Sequence, residues 1–360
     1  MIPRLDCIVS PAARAVLEGL GRTEDVAFSP DGRRLALAGY ARHRIAVFDV
    51  TVTASDEGRK VVVTGVVELA AETLDHPHGL CFLDDGAVAV ANRTGGVHVY
   101  PIPASDVASP PRAAVPMQTI KGGTAAPIHT PGSVSVFALG DGTCELLVCH
   151  TYSNVVSRHV LDKDRGWAST HDEVLLRRGL AVPDGICHSA DGAWIAVSNH
   201  NTHEVLLYRR SRALGPEAEP DAVLRNVICP HGVRLTPDGR HVLVADAHAP
   251  CVNVYARPSS DWSGVLDPVA MAPVLDRAAY LRGRQNPEEG GPKGIDIEAR
   301  SGVLACTTEF QTLAFFDIDD VLSSRAPLAS RHPRYLGWRL ARAIHRRRPE
   351  VYGWLRPLWR

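Results

Sequence analysis

One position in the sequence carries a side chain that varies between the copies of a short repeated motif. The motif places this residue before a glycine, an apolar run and an Asp-Gly turn, as in PHGLCFLDDG from Pro77 and PDGICHSADG from Pro183. In chain order the position is occupied by Glu24, His78, Gly132, Asp184, His231 and Lys293. A residue kept for structure would be expected to repeat, whereas this one changes and is usually ionisable. We therefore predict that the position lines a ligand site.

The residue types at this position suit a metal ion. Imidazole and carboxylate are ordinary ligands of zinc, iron and manganese, and the set Glu24, His78, Asp184 and His231 supplies two of each. An ion held there would lower the pKa of a bound water or polarise a carbonyl. Lys293 fits less well, because an ammonium beside a dication is unfavourable unless a substrate anion separates them or the amine is neutral. The alternative is that these loops are polar only because they are solvated.

The elements that must position these residues follow from the repeat. The motif returns every 54 residues on average, that is, about once per four-stranded unit. Each copy has three short apolar runs separated by a turn and a polar loop, and alternation such as VNVY indicates strands. A fourth run precedes the next copy, as in VVVTGVVEL, EVLLRRG, DAVLRN and APVLD. We predict an all-β, six-bladed β-propeller over residues 1–325, followed by a basic extension over residues 326–360.

Two further predictions concern how the ring closes and how many blades it has. The stretch ARAVLEGLGRTED near the N-terminus is similar to PDAVLRNVICPHG, so we predict that an N-terminal strand closes the ring as the outer strand of the last blade. A seventh blade in residues 258–290 is the alternative to six, although that insert holds one plausible strand, PVAMAPVLD, and then a polar loop.

In a propeller the inner strands begin at one face, and the hairpins between second and third strands return there. We expect both to surround a solvated mouth, a common place for a ligand. The hairpins are predicted to supply substrate-binding residues, namely Asn92, Arg93, His150, Tyr152, Asn199, His200, Asp246 and His248. Asp184, Lys293 and Glu309 are the predicted catalytic residues.

The repeat resembles that of the six-bladed, calcium-dependent propellers of the senescence marker protein and gluconolactonase family, and more loosely NHL-type propellers. The resemblance implies a central metal held by a Glu at the first blade, by Asn at later blades and by an Asp in a P-D-G turn. Glu24 and Asp184 match the acidic positions, whereas His78 and His231 stand where Asn is expected. The family implies lactone or ester hydrolysis with an acidic ligand as base, and the imidazoles shift the preference toward softer ions than calcium.

Two other propeller groups are similar in single features. The amidating lyase of peptide α-hydroxyglycines has a His-ligated zinc, to which the two P-H-G turns correspond. Strictosidine synthase-like propellers use one pocket glutamate, to which Glu309 corresponds.

The sequence thus favours a metal-dependent enzyme that acts on a small, oxygen-rich or anionic molecule, most simply by lactone or ester hydrolysis. The cofactor would be a divalent ion, Zn, Fe, Mn or Ca. A non-catalytic binding module and a His-metal lyase are the alternatives.

Charge and cysteine usage restrict partners and compartment. The chain has a net charge of −1, but residues 331–360 hold nine Arg and one Glu. The acidic remainder argues against nucleic acid. Eight scattered cysteines, and no leader or long apolar run, favour a cytoplasmic protein. The predicted amphipathic helix of the tail suits an anionic membrane surface or an acidic protein partner, or packing on the protein's own propeller.

Overall fold

Short alternating strands joined by polar turns form six radial sheets in the computed structural model, so the predicted six-bladed β-propeller is confirmed. The structure describes residues 1–55, 58–105, 111–211, 213–259, 261–284, 286 and 289–324. The predicted basic extension over residues 326–360 lies outside the described residues. None of the described helices is long and apolar enough to cross a bilayer. The cytoplasmic location stays a prediction.

The elements follow the chain blade by blade. Before the first blade come β1 (Asp6–Val9) and α1 (Pro11–Leu20). Blade 1 comprises β2 (Thr23–Phe28), β3 (Arg34–Gly39), β4 (Arg44–Ser55) and β5 (Gly58–Ala70). Blade 2 comprises β6 (Pro77–Asp84), β7 (Ala87–Asn92), β8 (Val97–Pro101) and, after the short β9 (Arg112–Ala113), β10 (Gln118–Ile120). Blade 3 comprises β11 (Pro131–Gly140), β12 (Thr143–His150), β13 (Val155–Asp162) and β14 (Ala168–Leu176).

The second half of the chain repeats this plan. Blade 4 comprises β15 (Pro183–His188), β16 (Trp194–Asn199), β17 (Glu204–Arg209) and β18 (Ala222–Leu224). Blade 5 comprises β19 (Pro230–Leu235), β20 (His241–Asp246), β21 (Cys251–Ala256) and, after β22 (Gly264–Leu266), β23 (Ala270–Pro273). The helix α2 (Arg277–Gly283) leads to blade 6, which comprises β24 (Pro292–Glu298), β25 (Val303–Thr308) and β26 (Ala314–Asp317) before α3 (Ile318–Leu322).

The core lies between adjacent blades. Apolar side chains of one sheet pack on those of the next, as where Ala36 and Val47 of blade 1 meet Leu80 and Val88 of blade 2. Alternation along each strand supplies the two packing faces. The inner strands are thereby pressed together around the axis.

The start of every inner strand departs from regular pairing. The register shifts between its first residues in all six blades, for example between Pro183 and Gly185 and between Pro230 and Val233. A bulge redirects the side chain at that point. The variable position of the repeat lies at this irregularity.

In four blades a glycine follows the variable position, and a close approach requires it. A Cβ on Gly185 would lie 2.0 Å from the carbonyl oxygen of His231, and one on Gly232 would lie 2.4 Å from that of Lys293. Both neighbours are backbone atoms of the next inner strand, so neither can swing away. The glycines therefore set how closely the blades converge.

The N-terminal segment differs from the prediction in detail. The stretch expected to be the outer strand of blade 6 is largely the helix α1, whose start is capped by Ser10 with Pro11 as its first residue. The strand β1 pairs in parallel with β5 of blade 1, not with blade 6. Toward the last two blades, the Ile2 N–H donates to Pro273 and the Leu5 N–H donates to Phe315.

The insert of residues 258–290 does not form a seventh blade among its described residues. The strand β22 joins the edge of blade 4 beside β18, and β23 completes blade 5. The remaining described part contains α2 and a loop that returns to the channel mouth.

The close approach at Gly232 predicts a steric cost. We expect Gly232→Ala to lower the free energy of unfolding by roughly 1–3 kcal/mol, because the added methyl group displaces the β24 backbone. Gly215→Ala is the matched control, since a Cβ there meets no atom within 4 Å. Chemical denaturation of both variants checks this, and equal stabilities would contradict it.

Candidate metal centre at the channel mouth

Four predicted ligands from four blades meet at the mouth of the channel. The Nε2 atom of His231 lies 3.4 Å from Glu24 Oε2 and 3.2 Å from Asp184 Oδ2. His78 Nε2 lies 3.7 Å from Glu24 Oε2 and 3.9 Å from Asp184 Oδ1. Ligand atoms of Glu24, His78 and His231 all fall within 4.8 Å of one another. Ring closure thus brings together residues that are far apart in sequence.

The cluster is buried, in contrast to the expected solvated mouth. Glu24 is fully buried, and Asp184 and His231 are each 5% exposed. The bulges turn these side chains toward the axis, where the hairpins and two arginines cover them. Each charge must therefore be compensated within the protein.

Three of the donor atoms, from Glu24, His78 and His231, are grouped closely enough to hold one ion, whereas Asp184 is not part of this group and approaches the two histidines with different oxygens. A tetrahedral centre with ligands at about 2.1 Å has edges of about 3.4 Å, close to the 3.4 and 3.7 Å between Glu24 Oε2 and the two imidazoles. Among the described residues, Glu24 Oε2 is buried without a hydrogen-bond partner. An unpartnered carboxylate oxygen facing two imidazoles is the position that a cation would satisfy.

The tautomer of His78 also suits a ligand. Its Nδ1 lies 2.8 Å from the Gly132 carbonyl oxygen, to which it donates. The Nε2 lone pair is therefore directed to the cluster. Such an outer hydrogen bond fixes ligand orientation in many metal sites.

Lys293 lies where its ammonium group is separated from the histidines of the candidate metal centre. Its fully buried ammonium group lies 3.0 Å from Glu24 Oε1, 3.1 Å from Glu289 and 3.4 Å from Glu309. Burial alone would lower the pKa of Lys293, but the Glu24 and Glu289 carboxylates outweigh it and raise that pKa. The amine is thus charged, and the Glu24 carboxylate stands between it and the histidines.

Two residues of this network were missed by sequence reasoning. The guanidinium of Arg22 bonds Glu24 Oε1, lies 3.2 Å from Glu309 Oε2 and covers the ring of Tyr40. Glu289 comes from the loop after α2. Arg22 stands just outside the variable column and Glu289 lies in the irregular insert, so the repeat gave no signal for either. Glu309, which the sequence predicted to be catalytic, forms ion pairs with Arg22 and Lys293 in this network.

Arg93 closes the other side of the cluster. Its Nη2 lies 3.0 Å from His78 Nε2 and 3.4 Å from Asp184 Oδ1, and Nη1 bonds the hydroxyl of Thr151. Tyr152, at the rim and 68% exposed, has its ring 5.4 Å from the guanidinium. Arg93 thus stands between the buried ligands and the outside.

The protonation states are set by these neighbours. Burial, reinforced by the Arg93 charge, lowers the pKa of His78 to about 3, so this ring is neutral. Burial alone would raise the pKa of Asp184 and lower that of His231. Their mutual attraction reverses both shifts, so the pKa of Asp184 falls and that of His231 rises. The pKa of Glu24 is also held low, against its burial, chiefly by Lys293 and His231.

The described residues of the network carry a small excess of negative charge. Four carboxylates, Glu24, Asp184, Glu289 and Glu309, face three cations, Lys293, Arg22 and Arg93. With neutral histidines, as metal ligation requires, a dication would leave a net charge of +1. Such a centre would attract an anion.

Four of the predicted substrate-binding residues instead hold their own blades together. Each ends the second strand of its blade and accepts a backbone N–H from the segment that precedes the inner strand. The bonds are Asp75 to Asn92, His129 to His150, Ala181 to Asn199, and Ile228 and Cys229 to Asp246. All four side chains are buried. We assign them a structural role.

The remaining two hairpin histidines lie closer to the surface. His200 Nδ1 is 3.9 Å from Asp184 Oδ2, beside the cluster. His248 is partly exposed, and its backbone carbonyl accepts the hydroxyl of Tyr280 at 2.6 Å. Of the predicted substrate-binding set, Arg93, Tyr152 and His200 therefore surround the cluster.

The structural role of His150 predicts sensitivity to acid. Burial, with the nearby His159 and His129, lowers the pKa of His150 to about 4. The folded protein therefore excludes a proton that the unfolded chain binds below about 6.5, so stability is lost as the pH falls. His150→Asn keeps an acceptor of the type found in blades 2 and 4 but does not titrate.

We expect urea unfolding to show a loss of stability between pH 7 and pH 5 that is smaller by about 2 kcal/mol in His150→Asn than in the parent protein. His171→Asn, at an exposed position, is the control. Identical pH profiles for the parent and His150→Asn would contradict the assignment.

Comparison with known proteins supports the fold alone. No family model matches the chain, and a search of curated proteins gives no match either. A structure of a functionally unknown protein from Desulfotomaculum acetoxidans is similar, with a TM-score of 0.51 and 15% identity. The similarity covers 85% of this chain and 86% of that one. The likeness extends over most of the propeller without indicating an activity.

Proposed function

We propose that the channel mouth binds one divalent ion through Glu24, His78, Asp184 and His231 and that the protein hydrolyses the ester or lactone bond of a small anionic molecule. The observation that carries the proposal is the convergence of these donors around the unpartnered Oε2 atom of Glu24. Two imidazoles in the set favour zinc, iron or manganese over calcium.

A bound divalent ion would supply the polarisation of an acyl carbonyl and the activation of a water. The chain's own residues provide the rest. Asp184 is kept ionised by its neighbours and is the acceptor for the proton of the attacking water. Lys293 and Arg22 hold Glu24 through Oε1 and so fix the direction of Oε2. We therefore regard Lys293 as a positioning residue.

The rim favours an anionic substrate. Arg93 and Arg22 are the cations at the edge of the cluster, with side chains 16% and 31% exposed. Arg93 bonds His78 and Asp184, which are also proposed ligands. A substrate carboxylate or phosphate would offer its guanidinium a second anionic partner, able to accept two hydrogen bonds, and would draw it away from the ligands. Substrate binding and ion binding would then support each other.

Ion binding gives the first test. Isothermal titration of chelator-treated protein with Zn²⁺ or Mn²⁺ should show one site per chain, and Glu24→Gln and His231→Ala should each weaken binding at least tenfold, since each ligand contributes more than about 1.4 kcal/mol. His171→Ala serves as the surface control. Unchanged affinity in both cluster variants, with parent-like circular dichroism, would rule out this centre.

Substitution of Arg93 gives a second test, in which ion affinity and kcat/KM are expected to change in opposite directions. Arg93→Gln should bind the ion more tightly, because the competing cation is gone, and should lower kcat/KM for anionic esters or lactones by roughly tenfold to a hundredfold. Neutral substrates should be affected far less. Equal losses for charged and neutral substrates would remove the anion-binding role. An ion that binds without any turnover would favour a binding module instead.

A further inference from the structure

A cavity lies at the end of the channel opposite the ion cluster. It has a volume of about 300 Å³ and is lined where the inner strands end. Its wall is largely apolar, with Phe28, Phe82, Val136, Leu235 and Ile297 among the lining residues. The ion cluster lies at the other ends of the same strands. A ligand here would therefore meet different chemistry.

Two polar residues of this wall are joined in a chain with a buried carboxylate. Ser135 Oγ lies 2.8 Å from His188 Nδ1, and His188 Nε2 lies 3.1 Å from Glu145 Oε1. Ser135 and His188 both line the cavity, whereas Glu145 lies behind them and is 2% exposed. The hydroxyl, the imidazole and the carboxylate thus form the series used to activate a serine nucleophile.

The surroundings fix the direction of the protons. Arg210 Nε lies 2.7 Å from Glu145 Oε1 and Arg158 Nε lies 2.5 Å from Oε2, so the carboxylate is held from two sides. Burial alone would raise the pKa of Glu145, but the bonds from His188 and Arg210 lower it to about 2. The ionised carboxylate of Glu145 accepts a hydrogen bond from the Nε2–H group of His188. The Nδ1 lone pair then faces the Ser135 hydroxyl.

His188 is in the form that a base requires. Burial lowers its pKa, although Glu145 opposes this shift, so the ring is neutral at pH 7. The backbone N–H of His188 also donates to Ser135 Oγ at 3.1 Å and holds the oxygen in place. Arg234 also lines the cavity, where its Nε lies 2.7 Å from Oδ1 of Asp296, another lining residue.

We propose that Ser135, His188 and Glu145 form a nucleophilic site that cleaves esters of short apolar acyl groups, independently of the ion centre. Ser135 Oγ forms a bond to the acyl carbon while its proton passes to His188. The ester C–O bond then breaks, and the leaving alkoxide takes that proton. Water attacks the acyl-serine in turn, releases the acid and restores the hydroxyl.

The chain contains an internal control for this interpretation. Ser157 Oγ lies 2.7 Å from Nε2 of His150 and 2.7 Å from Nε2 of His159, so it has imidazole partners at the same distance. It is fully buried within blade 3 and does not line the cavity. A reagent that requires both an activated hydroxyl and an open cavity should distinguish the two serines.

The test is covalent labelling with a small alkyl fluorophosphonate, in which the Ser135 oxygen replaces fluoride on phosphorus and the proton leaves with it. Intact-mass and peptide analysis should show one adduct, at Ser135 and not at Ser157. Ser135→Ala should abolish labelling and the chelator-resistant part of the hydrolysis of p-nitrophenyl butyrate. Chelator treatment should leave the labelling unchanged, because the two sites are separate.

Labelling of the parent protein does not depend on whether a variant folds. Absence of an adduct, or an adduct at another serine, would overturn the proposal and mark the three residues as a contact between blades. Loss of labelling on chelation would also overturn it, since the reaction would then belong to the ion centre.

Discussion

The convergence of six inner strands on one axis is the constraint on which the rest of the structure depends. At Gly185 and Gly232 the next strand comes so close that its carbonyl oxygen occupies the place of a side chain. Polar residues beside these glycines cannot reach bulk water, and a buried charge is costly without a partner. Burial at the mouth and the dense ion pairing there are therefore consequences of the same packing.

The two carboxylate oxygens of Glu24 have different partners. Oε1 accepts from Lys293 and Arg22, while Oε2 faces His78 and His231. Because Lys293 belongs to blade 6 and Glu24 to blade 1, the pair also crosses the seam where the ring closes. The bond from the Phe28 N–H to Asp296 at 2.7 Å crosses the same seam. Closure thus depends on polar contacts at the axis as well as on the N-terminal segment.

The sequence predicted the fold and the composition of the cluster because both follow from periodicity. A repeated turn and three alternating runs define a blade, and a column of the alignment becomes a ring in space. Periodicity does not reveal which way a side chain leaves a bulge. Asn92 and Asn199 look like ligands in a polar hairpin, yet their amides bond the backbone of their own blades. Arg22 and Glu289 lie off the column, so only the folded chain brings them to Glu24.

In the N-terminal segment, a local helix-start signal outweighed the similarity of the segment to a later blade. Similarity to a later blade suggested a strand near residue 17, but Ser10 and Pro11 form a helix start, with the Ser10 hydroxyl accepting the Ala13 N–H at 3.3 Å. A helix satisfies its own backbone groups, and it needs no neighbouring strand. The last blade consequently has three strands among its described residues, and the Leu5 N–H donates to the Phe315 carbonyl at its edge.

A polar layer separates the two ends of the channel. Arg234 Nε lies 2.7 Å from Asp296 Oδ1, and Asp25 Oδ2 accepts the Leu80 N–H at 3.1 Å. Burial raises the pKa of Asp25 to about 6, although the Arg234 charge opposes the shift. These groups lie between the residues that begin and end the inner strands, so an ion at one end and an apolar ligand at the other would not share an environment. The propeller axis therefore allows two chemically distinct sites on one set of strands.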